Sequence, residues 1–155
     1  MSQRVPSDDD PGGPLDAVAA RLRLPFSTPK FIDRIVSGAT NEMGRRTLFV
    51  LITTWDATGG GPFAAGTIGG LGVTKAVDEL MDLFMGNVFD RLLRTVGADD
   101  IVLRASLCAS QLVGFGLMRY VAKTDPLASA EVDDLVNALA PTLQRYLTGD
   151  ITSGK

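Results

Sequence analysis

Apolar residues recur at every third or fourth position along most of this chain, and no stretch alternates as a strand would. The pattern predicts an all-α fold. Leu15 to Leu24 reads as a short helix with Leu15, Val18, Ala19 and Leu22 on one face, stopped by Pro25. Pro29 suits a first helical turn, and Phe31, Ile32, Ile35 and Val36 follow until Gly38. Thr40 is placed to cap a helix running to about Asp56. Its apolar residues (Met43, Leu48, Phe49, Leu51, Ile52, Trp55) spread widely enough to predict burial on more than one side. From Ala57 to Gly72 glycine is dense, and a loop with at most a weak turn near Phe63 to Leu71 is expected.

Three long helices follow. Thr74 to Val96 steps at three and four through Val77, Leu80, Met81, Phe84, Met85, Val88, Phe89, Leu92 and Leu93, with Thr74 as cap and Gly97 after its end. Asp99 or Asp100 caps the next, to about Lys123. Its apolar residues lie on all sides, which predicts a central, buried helix. Ser106, Ser110 and Gly114 form a small-residue stripe along it, where a second helix could approach closely. Asp125-Pro126 breaks that helix, Ser129 caps the last one, Pro141 should kink it and Gly149 ends it. Its stripe is Val132, Leu135, Val136, Leu139, Leu143, Tyr146 and Leu147. One core does not readily cover two such apolar helices. The economical solution is a second copy, with two helices from each chain in a four-helix interface. That assigns Leu103, Ser106, Ser110, Gly114, Met118, Val132, Leu135, Leu139, Leu143 and Tyr146 to a homodimer interface. The organisation expected is a disordered acidic tail over 1–14, one helical domain over 15–150, and a frayed end over 151–155.

Composition narrows the function. The 155 residues carry a net charge of −3, which is a poor footprint for binding nucleic acid. No apolar run reaches a membrane span and no secretory signal is visible, so neither a membrane nor an export route is expected. The chain has no histidine, hence no imidazole base or metal ligand. The lone Cys108 forms no internal disulfide and fits a reducing, cytoplasmic setting, where it is expected to be an inert buried thiol. The glycine-rich segment lacks both phosphate-loop spacings, since Gly72-Val73-Thr74-Lys75 has the wrong order and position 75 is lysine. No catalytic residue, metal site or cofactor is assigned.

Three stretches resemble a known family: Ala105-Ser-Leu-Cys-Ala-Ser-Gln-Leu-Val-Gly-Phe-Gly-Leu-Met-Arg-Tyr-Val121, Asp125-Pro-Leu-Ala-Ser129, and Leu139-Ala-Pro-Thr-Leu-Gln-Arg-Tyr-Leu-Thr-Gly149. They look like the C-terminal domain of TetR-type bacterial transcriptional repressors, the actinobacterial branch above all. Leu24-Pro-Phe, Phe31-Ile-Asp-Arg-Ile-Val-Ser-Gly38 and Trp55 sit where that branch has similar residues. The resemblance spans roughly Leu15 to Gly149 and is weakest over 57–80. It implies a helical domain that senses a small molecule and dimerises through its last two long helices. The family carries an N-terminal helix-turn-helix head that reads DNA. Where that head would lie, this sequence shows only a Pro/Gly/Asp tail, so the chain is expected to work without a head of its own.

An apolar or amphipathic ligand would then meet Phe49, Ile52, Trp55, Met81, Phe84, Met85, Cys108, Gln111 and Phe115, with Phe89 and Leu112 nearby; plain core packing is the competing account of each. Gln111 is an amide in an apolar run, and it needs a ligand, a backbone group or its twin across a dimer axis. Arg119 and Tyr120 would hold a ligand carboxylate, or Arg119 forms a salt bridge at a helix end. A second function stays open beside the sensor: an interaction module that pairs with full-length relatives and leaves them one head per dimer. A helical enzyme is a third, without a candidate nucleophile–base pair.

Overall fold

The computed structural model describes residues 28–64, 70 and 72–152. The expected tail over 1–14, the helix over Leu15–Leu24 and residues 153–155 lie outside the described residues. What is described is helical, with no strand among the described residues.

Helix α1, Thr28–Val36, drives Phe31, Ile32 and Ile35 into the core and stops at Gly38, whose φ of 112° a side chain would resist. A 3₁₀ turn, Thr40–Glu42, leads into α2, Met43–Ala57. Thr40 opens the turn instead of capping the helix, and no side chain caps either start. The Thr40 carbonyl accepts from Gln144 Nε2 at 3.0 Å, which ties the turn to the last helix. Helix α2 is buried on more than one side, as its wide apolar face predicts: Met43, Thr47, Leu48, Leu51, Ile52 and Trp55 are all inside.

Val73–Phe84 (α3), a π turn over Met85–Phe89 and Asp90–Thr95 (α4) follow one another as the single rod expected over 74–96. Gly72, not Thr74, precedes its first turn, and Gly97 at φ 71° ends it. Helix α5, Ile101–Gly116, runs on through a second π turn, Leu117–Val121. Asp100 occupies its cap position in a left-handed conformation without a side-chain cap bond. The Asp99 carboxylate goes to Arg104 instead. The last helix, α6, spans Val132–Thr148 with Pro141 inside it; Glu131 stands at its cap position, so Ser129 lies outside the helix it was expected to cap.

Helix α6 lies along α2. A Cβ on Gly44 would come within 2.8 Å of the Gln144 amide nitrogen and 2.9 Å of the Ala140 carbonyl oxygen, so glycine permits this close approach. The Gly44 N–H donates to Gln144 Oε1 at 2.8 Å across the same crossing. Leu135, Val136, Leu143 and Leu147 of α6 enter the shared core.

Helix α5 is not buried on all sides. Ala105, Cys108, Ala109, Leu112 and Val113 face inward, while Leu103, Met118 and Val121 are 49, 40 and 47% exposed. The Ile101–Val121 stretch is long and apolar enough to cross a membrane by composition alone, against the sequence expectation, because its polar members are mostly small; 44% of it is buried within the chain. Its outer face holds four of the six exposed large hydrophobics among the described residues, Val102, Leu103, Met118 and Val121.

Candidate functional site

The centre of the domain is an aromatic cluster that local sequence assembles from four elements. Trp55 comes from the last turn of α2, Phe63 from the loop after it, Phe84 from the end of α3, and Tyr120 from the π turn after α5. Trp55 meets Phe63 edge-on at 5.4 Å, Phe84 at 5.7 Å and Tyr120 at 6.2 Å between ring centroids. Phe63 stacks on Tyr120 at 5.9 Å. These offset and edge-on arrangements are the favourable ones for aromatic quadrupoles.

Glycines make the cluster possible. Gly59, Gly60 and Gly61 all have positive φ (74°, 113° and 54°), a run of conformations that only glycine adopts without strain. The Gly60 N–H donates back to the Trp55 carbonyl at 2.8 Å. The chain then turns through the 3₁₀ segment Gly61–Phe63 and lays the Phe63 ring on the bare backbone of Gly116. Part of the segment expected to be a loop is therefore a built turn.

Beside the rings lies a charged cluster. The Arg119 guanidinium forms a two-pronged ion pair with Asp56, with Nε–Oδ1 at 3.1 Å and Nη2–Oδ2 at 2.8 Å. Its Nη1 donates to the carbonyls of Leu127 at 2.7 Å and Ala130 at 3.0 Å. The Tyr120 hydroxyl donates to Asp56 Oδ1 at 2.7 Å. Partial burial works to raise the Asp56 carboxyl, but the hydrogen bonds from Arg119 and Tyr120 and the Arg119 charge outweigh it, and its pKa lies below the ordinary carboxylate value. Burial, followed by the bond to Asp56, pushes the Tyr120 phenol well above its usual range. Of the two roles open to Arg119, the structure shows the salt bridge: the carboxylate it holds is this chain's own.

The sequence-assigned ligand residues divide. Ile52, Trp55, Phe84, Cys108 and Phe115 are buried, and Met81 and Met85 pack half-buried against the same core. Phe49 is 45% exposed, turned away from the core by one helical step. Burial pushes the Cys108 thiol up to about 12, which fits an unreactive side chain. Gln111 does not point inward. It lies half-buried in an external groove of about 490 Å³ with Ser110, Gly114, Phe115, Met118, Leu127 and Leu139. That groove joins residues of α5 and α6 that the sequence assigned to a dimer interface. Ser106, Val132 and Tyr146 are partly exposed, whereas Leu135 and Leu143 are buried in the chain's own core and unavailable to a partner. The physical reason is the α2 crossing, which draws that side of α6 inward.

Sequence reasoning missed Arg104. It is 5% exposed and caps the end of α6, with Nη1 donating to Tyr146 O at 2.8 Å and Nη2 to Gly149 O at 2.6 Å, while Nε donates to Asp99 Oδ1 at 2.9 Å. The only signal was a cation early in an otherwise apolar helix. Among the described residues, no three His, Cys, Asp or Glu side chains converge as a metal-ligating set would.

Residues 41–147 match the family model described as "Tetracyclin repressor-like, C-terminal domain", and the chain belongs to that family. Its fold is similar to the crystal structure of a TetR-family regulator from Streptomyces coelicolor A3, with a TM-score of 0.62, 21% identity and 84% of each chain covered. No curated protein matches. TetR-family regulators are non-enzymatic, soluble, cytoplasmic proteins, typically homodimers that bind small molecules and DNA.

Proposed function

We propose that this domain is the ligand-sensing and homodimerising half of a TetR-type regulator, that its ligand is an apolar or amphipathic small molecule, and that DNA is not contacted by the domain itself. One observation carries the dimer: α5 and the π turn after it leave Leu103, Met118 and Val121 uncovered, and Ser110, Gly114 and Met118 line a groove shared with Leu139 of α6. Burying such a face against its own copy is the economical way to remove it from water. Gly114 supports close packing there, since nothing lies within 4 Å of a Cβ built on it in the single chain. The aromatic cluster, in a core against which Met81 and Met85 pack half-buried, supports an apolar ligand. The net charge of −3 supports the absence of direct DNA contact.

Native mass spectrometry on gently purified protein tests the reading. A species at twice the chain mass of 16.4 kDa is expected, with an added small mass where a ligand is carried. Gly114→Arg should convert that dimer to a folded monomer with unchanged helical content. A wild-type monomer, or a Gly114→Arg variant that dimerises as well as wild type, would overturn the proposed interface.

A further inference from the structure

We infer that Asp56, Arg119 and Tyr120 form a positioning cluster that sets the dimer-forming face and couples it to the aromatic rings around Trp55. The inference rests on the homodimer reading above. Arg119 is a single side chain with ties to two other parts of the fold. It holds the Asp56 carboxylate at the end of α2, and it holds the carbonyls of Leu127 and Ala130 in the connection to α6. The Arg119 side chain is 10% exposed and its Asp56 partner 29%, so the two-pronged geometry of the pair, not exclusion of water, gives it direction. Leu127 lines the groove that the second copy would cover, and Ala130 lies two residues before α6 begins. The guanidinium therefore fixes the corner from which the outer face of α5 and the start of α6 are set.

The other side of the cluster reaches the rings. Tyr120 stacks on Phe63 and meets Trp55 edge-on, and its hydroxyl shares Asp56 Oδ1 with Arg119 Nε. A shift of the aromatic cluster moves the Tyr120 hydroxyl, the carboxylate it shares, the guanidinium and then Leu127. Every link is a direct contact. Arg119 and Tyr120 are consecutive yet reach the same carboxylate, and both stand on the π turn Leu117–Val121, the wider helical form that often marks functional sites.

Two readouts separate coupling from mere stabilisation: the dimer dissociation constant, from sedimentation velocity over a dilution series, and fluorescence excited selectively in the tryptophan band, which reports only Trp55 because the chain has one tryptophan. In wild type, dissociation should shift the Trp55 emission. Arg119→Met should raise the dissociation constant about tenfold, within the usual range for coupled sites, and make the emission insensitive to dilution. Tyr120→Phe, which keeps the ring and removes one hydroxyl, should act in the same direction more weakly. Should Arg119→Met fail to fold, Tyr120→Phe and Asp56→Asn decide the matter. Variants that lose thermal stability but keep the wild-type dissociation constant would overturn the inference, as would wild-type emission that ignores dissociation. A wild-type monomer at every concentration would instead sink the homodimer reading, before any variant is made.

Discussion

Gly116 is the position where the structure makes a prediction that local propensity would get backwards. It has helical φ and ψ of −64° and −38°, where alanine is ordinarily better than glycine by about 1 kcal/mol. A Cβ there would meet three atoms of the Phe63 ring at 2.1, 2.2 and 2.6 Å, so the ring must retreat by more than an ångström. Trp55 at 5.4 Å, Tyr120 at 5.9 Å and Phe84 at 6.3 Å surround that ring and oppose the retreat. Overpacking of this kind costs about 1–3 kcal/mol, which leaves Gly116→Ala a net loss of up to about 2 kcal/mol after the propensity gain. For a chain of this length that lowers Tm by up to about 8 °C. Phe63→Leu alone should cost about 1–3 kcal/mol, from the smaller side chain and the lost ring contacts, and it removes the ring atoms that clash. In that background Gly116→Ala should become stabilising, and the cycle should show a coupling of about 1–3 kcal/mol. Urea unfolding followed by circular dichroism measures all four corners. The packing argument is refuted if Gly116→Ala stabilises the wild-type chain, or has the same effect in both backgrounds.

Two further outcomes follow from the charged side chains. Arg104→Met removes the donors that hold the Tyr146 and Gly149 carbonyls and should cost about 2–4 kcal/mol in urea unfolding, well beyond an ordinary surface arginine. A loss under about 0.5 kcal/mol would mean that water replaces those bonds. Because the folded-state pKa of Asp56 lies below its ordinary value of 3.8, its ionisation stabilises the fold above that value and the contribution is lost as pH falls through the folded-state pKa. The stability gap between wild type and Asp56→Asn should therefore be widest near neutral pH and close on strong acidification. A gap independent of pH would remove the ion pair from the account.

Much of this protein is written in local sequence. Spacing at three and four gave α1, α2, the 73–95 rod, α5 and α6 their places, because one buried stripe per helix is a strictly periodic demand. Gly97 and Gly149 marked helix ends for the same reason, that a chain leaving a helix needs a conformation or a gap that side chains resist. Zero histidines and a single cysteine restricted the chemistry, and the segments at 105–121 and 139–149 carried the family resemblance. Capping was less legible: Thr40, Thr74 and Ser129 look like caps, yet none stands at a helix cap position, and at the start of α2 the Gly44 N–H finds its acceptor in Gln144 of the last helix. Which way a side chain of an all-round apolar helix points was also beyond the sequence. Only packing decided that Cys108 and Leu112 face inward while Gln111 and Met118 face the groove, and that Leu135 and Leu143 serve the chain's own core. The Asp56–Arg119–Tyr120 cluster joins residues more than sixty positions apart, and Arg104 reaches over forty positions to the end of α6. Periodicity reports only what each segment must bury. Partners brought together by the crossing of helices, and the bare glycine backbone that lets them approach, exist only once the chain has folded.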